Sequence, residues 1–180
     1  MSDETNASTT PFWRFSLHFY RHAGVSDACI ALQDDCGVDV NLLLFLFWLA
    51  AGRQALSAAE VKKLDDQVRS WRELTIIPIR DARRTLKGAA TLVDPGKQEA
   101  FRNKVKAVEL EAERLQQEAM HELARPSLLG VEVSSREDAA RANVATYAAM
   151  SGAAFPQPVI ETLLAALVGR GRKPEEMTHG

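Results

Sequence analysis

Four basic side chains on one predicted helix carry the strongest chemical signal in this sequence. The helix begins near Pro78, and at about 100° per residue its cations fall within one arc of roughly 100°. These cations are Arg80, Arg83, Arg84 and Lys87. Because neighbouring like charges weaken a helix, an anionic partner would relieve their repulsion. Carboxylates of the same chain, an acidic protein surface or a phosphate would each serve, and the sequence leaves these alternatives open.

A second group of residues could line a pocket for a small molecule. Asn41 lies one turn into an otherwise apolar stretch, and a buried amide needs partners, which Gln33 or a backbone carbonyl could supply. Arg80 or Arg84 would hold a phosphate or carboxylate at the same place. The predicted pocket residues are Trp13, Asp35, Asn41, Trp48 and Trp71.

Metal and nucleophilic chemistry find little support in the residue spacing. His18 and His22 share a polar strip of the first helix, but Arg14 and Arg21 lie there too, and no carboxylate or cysteine in that helix completes a ligand set. A glycine interrupts the aspartate-rich run 34–39, so its carboxylates need not converge on a cation. Gly-x-Ser-x-Gly, phosphate-loop and dinucleotide motifs are missing. We expect no metal and no cofactor, assign no catalytic residue, and leave enzymatic activity open.

The elements that must position these residues are helices, because helix start and stop signals recur while strand signals are scarce. Ser57–Glu60 and Ser134–Glu137 are capping boxes. Asp39 can cap an apolar helix that ends before Gly52, and Asp94-Pro95 opens the longest helix. The predicted fold is all-α, with a compact bundle of about five short helices, then a long helix and two C-terminal helices.

The character of the chain changes along its length. Aromatic residues concentrate before residue 72, and the chain beyond residue 88 is alanine-rich and charged. We therefore predict a helical core domain at 10–125, a C-terminal helical appendage at 126–169 and a disordered tail at 170–180.

The long helix carries a coiled-coil-like seam, because its apolar residues alternate at spacings of four and three. The seam consists of Phe101, Val105, Val108, Ala112, Leu115 and Ala119. Its partner is either another helix of the same chain or a second copy of the chain.

Compartment and charge narrow the partners further. Two cysteines indicate a reducing compartment, and the ten-residue apolar run 42–51 is shorter than the roughly 20 residues that cross a bilayer. The N-terminus lacks a secretory pattern, so we expect a cytoplasmic protein without a membrane segment. A basic middle, 52–106, lies between acidic ends. A sequence pI of about 6.1 without a known reading motif disfavours nucleic acid as partner.

Seven short motifs between residues 12 and 84 are recognisable together. They are Phe12-Trp13, Gly24-Val25, Leu32-Gln33-Asp34, Asp39–Leu44, Trp71, Pro78-Ile-Arg80 and Arg83-Arg84. Together they resemble the proteobacterial conserved hypothetical proteins grouped as domain of unknown function 2390, over roughly residues 10–125. The resemblance implies a small cytoplasmic bacterial protein and transfers no catalytic residue.

Two functions follow as hypotheses. The first is a non-enzymatic protein-interaction module, which binds another protein through its basic helix face or a second copy through the long helix. The alternative is an all-helical enzyme or binding protein for a small anionic ligand that carries a phosphate or a carboxylate.

Overall fold

The computed structural model describes residues 10–88, 92–124 and 129–169, and the tail predicted at 170–180 lies outside them. Within these ranges the all-α prediction is confirmed. The helices are α1 (Pro11–Phe19), α2 (Val25–Cys36), α3 (Val40–Ala51), α4 (Ala58–Trp71), α5 (Ile77–Thr85), α6 (Pro95–Ala124), α7 (Arg136–Ser151) and α8 (Gln157–Leu167). Two short strands, β1 (Gln54–Ala55) and β2 (Val131–Glu132), form an antiparallel ribbon that the sequence did not predict. No helix in the described ranges has the length and apolarity of a membrane span.

Side-chain caps start several helices where the sequence places them. The Thr10 hydroxyl accepts a hydrogen bond from the Trp13 N–H, and Ser57 and Glu60 form the predicted capping box. Helix α2 begins without a side-chain cap. Gly24 occupies the N-cap position in the left-handed conformation, with φ of 79°. The chain therefore turns between α1 and α2 on a residue that tolerates this backbone.

Helix α3 lies at the centre of the core. Its residues Leu42–Phe47 are all buried, so apolar neighbours must cover every face of the helix. Helix α7 packs most extensively against it, and α1, α2 and α6 cover the other sides. Ala139 and Ala140 are buried on α7, and these small side chains permit a close approach. One hydrophobic cluster thus draws on both sides of residue 126, while the division into 10–125 and 126–169 stays a prediction.

Helices α4 and α5 are continuous through a π-helical turn, Arg72–Ile76. The sequence predicts a fresh helix start at Pro78, because proline lacks an N–H and its ring crowds the carbonyl four residues earlier. The π turn accommodates Pro78 without breaking the rod, and the Ile77 N–H bonds the Arg72 carbonyl five residues back. As a result Arg72 and Arg80 project from one continuous helix.

Candidate functional site

A chain of buried hydrogen bonds links α1, α3 and α6. Asn41 is at its centre: Gln117 Nε2 donates to its carbonyl oxygen at 2.8 Å, and its own amide donates to Gln116 Oε1 at 3.4 Å. Ser16 Oγ donates to Gln117 Oε1 at 2.7 Å, and Gln116 Nε2 donates to Asp39 Oδ2 at 2.8 Å. The predicted need of Asn41 for partners is met by α6, whereas the predicted partners were Gln33 or a backbone carbonyl.

The Asp39 carboxylate joins this chain to the π turn. One oxygen accepts the N–H groups of Asn41 and Leu42 as the α3 cap, and the other accepts Arg72 Nη1 at 3.0 Å. Arg72 also donates to Asp65 at 2.8 Å. Burial opposes the charge on Arg72, but the hydrogen bonds and charges of the two aspartates outweigh it and raise the pKa of the guanidinium. The arginine is therefore a fixed cation at this position.

A polar cleft of about 440 Å³ opens beside the network, between the α2–α3 connection, the π turn and α5. Three arginines and four carboxylates line it, so its charges nearly balance. The charged lining residues are Asp34, Asp39, Arg72, Arg80, Asp81, Arg84 and Glu113.

A second, more apolar cavity of about 260 Å³ adjoins the polar cleft. The two have Gln33, Val40, Asn41 and Glu113 in common, so they adjoin; we call the second, more apolar one the inner cavity. The other residues that line the inner cavity are Trp13, Ser16, Leu17, Tyr20, Leu44, Leu110 and Gln117.

Tyr20, which lines the inner cavity, and its neighbour Cys29 keep their protons at physiological pH. Burial raises the pKa of the Tyr20 phenol, and the neighbouring Cys29 adds to the effect. Burial also raises the pKa of the Cys29 thiol, to about 11. A thiolate nucleophile is therefore not available here.

Arg80 bonds two glutamates of α6 whose pKa values shift in opposite directions. Its Nε lies 3.0 Å from Glu109 and its Nη2 lies 2.8 Å from Glu113. Burial opposes ionisation of Glu109, but hydrogen bonds from Arg83 and Arg80 outweigh it and lower the pKa. At Glu113 burial dominates over the attraction of Arg80, and the pKa is raised. Glu113 is thus the carboxyl of this cluster that takes up a proton first.

The four predicted cations do not form an open basic face. Arg80 and Arg83 pair with Glu109, and Arg84 pairs with Asp34 at 2.6 Å. Lys87 lies beyond the end of α5, is exposed, and makes no ion pair within the described residues. Of the four, Arg80 and Arg84 line the polar cleft.

Two of the five predicted pocket residues lie together, and the other three lie apart from them and from one another. Trp13 and Asn41 line the inner cavity together. Trp48 instead packs against Phe12 and His121 in tilted ring pairs, with centroids 5.5 Å apart in each. Trp71 donates its indole N–H to the Ala112 carbonyl at 3.0 Å. Asp35 is exposed on α2. The pocket therefore keeps two of the five residues together.

Sequence reasoning missed the contribution of α6 to the site. The residues concerned are Glu109, Glu113, Gln116 and Gln117. Their spacings of four and three place them on one helix face, so the signal was a polar stripe with helical periodicity beside the apolar seam. We see no cluster of three or more His, Cys, Asp or Glu side chains able to hold a metal among the described residues.

The comparison with known protein families points to the part of the chain that lines these two cavities. Residues 11–120 match the model of a protein family of unknown function, DUF2390. The chain belongs to the DUF2390 family. No curated protein and no solved structure matches the chain. The family segment of this DUF2390 protein contains every residue that lines the polar cleft and the inner cavity.

Proposed function

We propose that this DUF2390 protein binds a small molecule that carries a carboxylate or phosphate on an apolar body. The observation that supports it is the pair of adjoining cavities, in which Arg80 and Arg84 line the polar cleft and Trp13 lines the inner cavity. Concave sites with a mainly apolar lining and a few convergent polar groups are typical of small-molecule binding. A cytoplasmic bacterial location, expected from the cysteines and the family resemblance, belongs to the same proposal.

Arg84 is the cation that a ligand can engage at the lowest cost. Its partner Asp34 is 41% exposed and Arg84 itself is 47% exposed, so the pair contributes little to stability. A ligand anion can replace Asp34 and form a bidentate contact with the guanidinium.

Arg80 becomes available to the ligand anion when Glu113 is protonated. Because burial raises the pKa of Glu113, an anion entering the cleft favours the protonated carboxylic acid. Arg80 then keeps its hydrogen bond to Glu109, and the positive charge that Glu113 no longer neutralises attracts the ligand anion. Binding of the anion is therefore coupled to uptake of one proton.

The inner cavity accepts the apolar part of the ligand. Trp13, Leu17, Leu44 and Leu110 supply apolar surface, and the neutral amide of Gln117 supplies a hydrogen-bonding group. Its volume of about 260 Å³ is suited to a single ring or a short branched chain, since complete ligand sites span about 300–1,000 Å³.

The internal pairing of the arginines favours this function over the basic-face interaction module. Arg80 and Arg83 are engaged by Glu109, and their side chains are only 16% and 21% exposed. A protein partner on that face would have to displace these buried contacts. The interaction module stays a prediction, tested by capture from lysate with Arg80→Glu/Arg84→Glu.

Calorimetric titration with three probes tests the proposal. Phenylacetate and phenyl phosphate carry an anion on a ring, whereas phenylacetamide keeps the ring and lacks the charge. We expect the two anions to bind and the amide to bind at least about tenfold more weakly, the value of one charge-assisted hydrogen bond.

Arg84→Gln and Lys87→Gln form a matched pair for the same titration. Both remove one exposed cation near the end of α5, but only Arg84 lines the cleft. We expect Arg84→Gln to weaken anion binding about tenfold and Lys87→Gln to leave it unchanged. Equal binding of anions and amide, or equal loss in the two variants, would refute the proposed site.

A further inference from the structure

The outward side of α6 carries an apolar stripe that no other described element covers. No residue of α6 before Glu109 is buried. Phe101, Val108 and Leu115 are 56%, 55% and 42% exposed, and they lie seven residues apart on one helix face. We call these three residues the outer stripe. An exposed apolar row on one helix face is a candidate interaction surface.

The predicted seam of α6 is therefore divided between two sides. Ala112 is buried within the chain and Val105 is half-buried, whereas the outer stripe and Ala119 face outward. Trp71 broadens the exposed surface, because its indole bonds the carbonyl of Ala112, which neighbours both Val108 and Leu115 on the helix. Trp71 is itself 40% exposed.

A row of charges runs along one edge of the outer stripe. Lys97, Lys104 and Glu111 each lie one turn before a stripe residue, and Glu118 continues the row after Leu115. The row is thus basic in the first half of the helix and acidic in the second half. Two such rows bring opposite charges together only when the two helices are antiparallel.

We propose that two copies of this chain associate through the outer stripe as an antiparallel two-fold dimer. With the symmetry axis at Val108, Phe101 of each copy lies opposite Leu115 of the other. The same register places Lys97 opposite Glu118 and Lys104 opposite Glu111, twice each. In a parallel two-fold pair the rows of the two copies lie on opposite edges of the interface, so these opposite-charge pairs do not form.

Glu111 and Glu118 share Arg114 as a local cation, but the charge complementarity between the two copies remains. Arg114 bonds Glu111 at 2.6 Å and also pairs with Glu118, so one cation is shared by two carboxylates and the acidic half keeps a net negative charge. Lys97 and Lys104 are exposed and have no ion pair within the described residues. They are the free cations that the acidic half of a second copy can meet.

This dimer is independent of the ligand proposal. Leu110 and Gln117 line the inner cavity from a helix face about 200° away from Val108 and Leu115. Association through the outer stripe leaves that cavity open, so either proposal can fail without the other.

Sedimentation velocity of the full-length protein over a wide concentration range is the first test. We expect a concentration-dependent dimer for the unaltered chain, and a monomer for Val108→Glu, which places two carboxylates at the symmetry axis. Ala107→Glu adds the same charge one residue earlier on a different face, so it should dimerise like the unaltered chain. A monomer at every concentration overturns the proposal, as does a dimer that Val108→Glu leaves intact.

A charge exchange tests the antiparallel register. Lys104→Glu and Glu111→Lys each oppose like charges in a homodimer, and each should self-associate at least about tenfold more weakly. Mixed together, the two variants restore both opposite-charge pairs, so the mixture should form a heterodimer. A mixture that associates no better than its components overturns the register.

Discussion

The side-chain oxygen of Asn143 accepts a 2.7 Å hydrogen bond from the backbone N–H of Leu56. The same amide donates to the carbonyls of Leu46 and Gln54 at 3.1 and 3.0 Å, and Asn143 is completely buried. One side chain of α7 thus replaces the backbone partners that the chain lacks as it leaves α3. The contact ties the C-terminal helices to the centre of the core.

Asn143→Ala is expected to destabilise the protein by about 2–3 kcal/mol, because buried backbone groups lose their partner. Asn103→Ala is the matched control, since Asn103 is exposed on α6 and the substitution brings the same gain in helix propensity. Urea denaturation measures both free energies of unfolding. Equal values for the two variants would show that the Asn143 contacts contribute nothing.

Glu109→Gln is expected to lower the free energy of unfolding by about 2–3 kcal/mol at neutral pH, because Arg83 and Arg80 lose a buried carboxylate. The folded pKa of Glu109 lies below its unfolded value. Its contribution is therefore present above the ordinary carboxyl pKa and is lost as pH falls through the lower folded value. The difference between unaltered chain and variant should vanish in acid, as denaturation at a series of pH values will show. An undiminished difference at low pH contradicts this assignment.

Anion binding is expected to strengthen as pH falls toward the raised pKa of Glu113. Since the folded carboxyl binds its proton more tightly than usual, protonation starts at higher pH than for an ordinary glutamate. Titration of phenylacetate at several pH values, in buffers of different ionisation enthalpy, reports the proton taken up. Glu113→Gln should bind without proton uptake and with little pH dependence, and an unchanged proton uptake in this variant would exclude Glu113.

Gly130→Ala is expected to cost more stability than Gly152→Ala. Both glycines have positive φ, at 78° and 69°, so each substitution carries about 1 kcal/mol of backbone strain. A Cβ at Gly130 would also lie 2.7 Å from the Ala55 carbonyl oxygen, whereas open space surrounds Gly152. Thermal unfolding of the two variants compares the strain with and without the clash. Equal losses of stability in the two variants would show that the close approach of the chain at β1 and β2 does not contribute to stability.

Limited proteolysis with subtilisin tests the proposed boundary between 10–125 and 126–169. The sequence predicts removal of the tail after Arg170, then a cut near Pro126 or Pro156. After a cut near Pro126 we expect the two fragments to elute together under native conditions, because α7 and α3 share one core. Separate elution would indicate a weakly docked appendage, and early cleavage within 39–51 would contradict a buried α3.

The helices were predictable because their signals are local. The Ser57–Glu60 box and the Asp39 cap involve residues within one turn of each other, and both occur as predicted. The ribbon strands are two residues long, too short for any periodicity, and depend on the approach of Gly130 to Ala55. Pro78 indicates a helix start under rules that describe α-helices, whereas the π turn bonds residues five apart and continues through the proline.

The site was only partly predictable because its contacts are distant in sequence. Arg80 and Arg84 were found from their spacing, but their partners Glu109 and Asp34 lie on other helices. The burial of Asn41 followed from its apolar neighbours, whereas its hydrogen bond to Gln117 joins residues 76 positions apart. Which helix face meets which is decided by packing, and local patterns do not encode it.

The covering of α3 by α7 has a consequence for synthesis of the chain. The contact between Asn143 and the Leu46 carbonyl joins residues 97 positions apart, so most of the chain must leave the ribosome before this side of α3 finds its partner. During that interval the run Leu42–Phe47 presents an uncovered apolar helix to the surrounding solution. Nascent chains in this state are substrates for chaperones that hold apolar segments. Folding should accordingly be slow for a helical protein of this size, and its rate should depend on how soon α7 emerges.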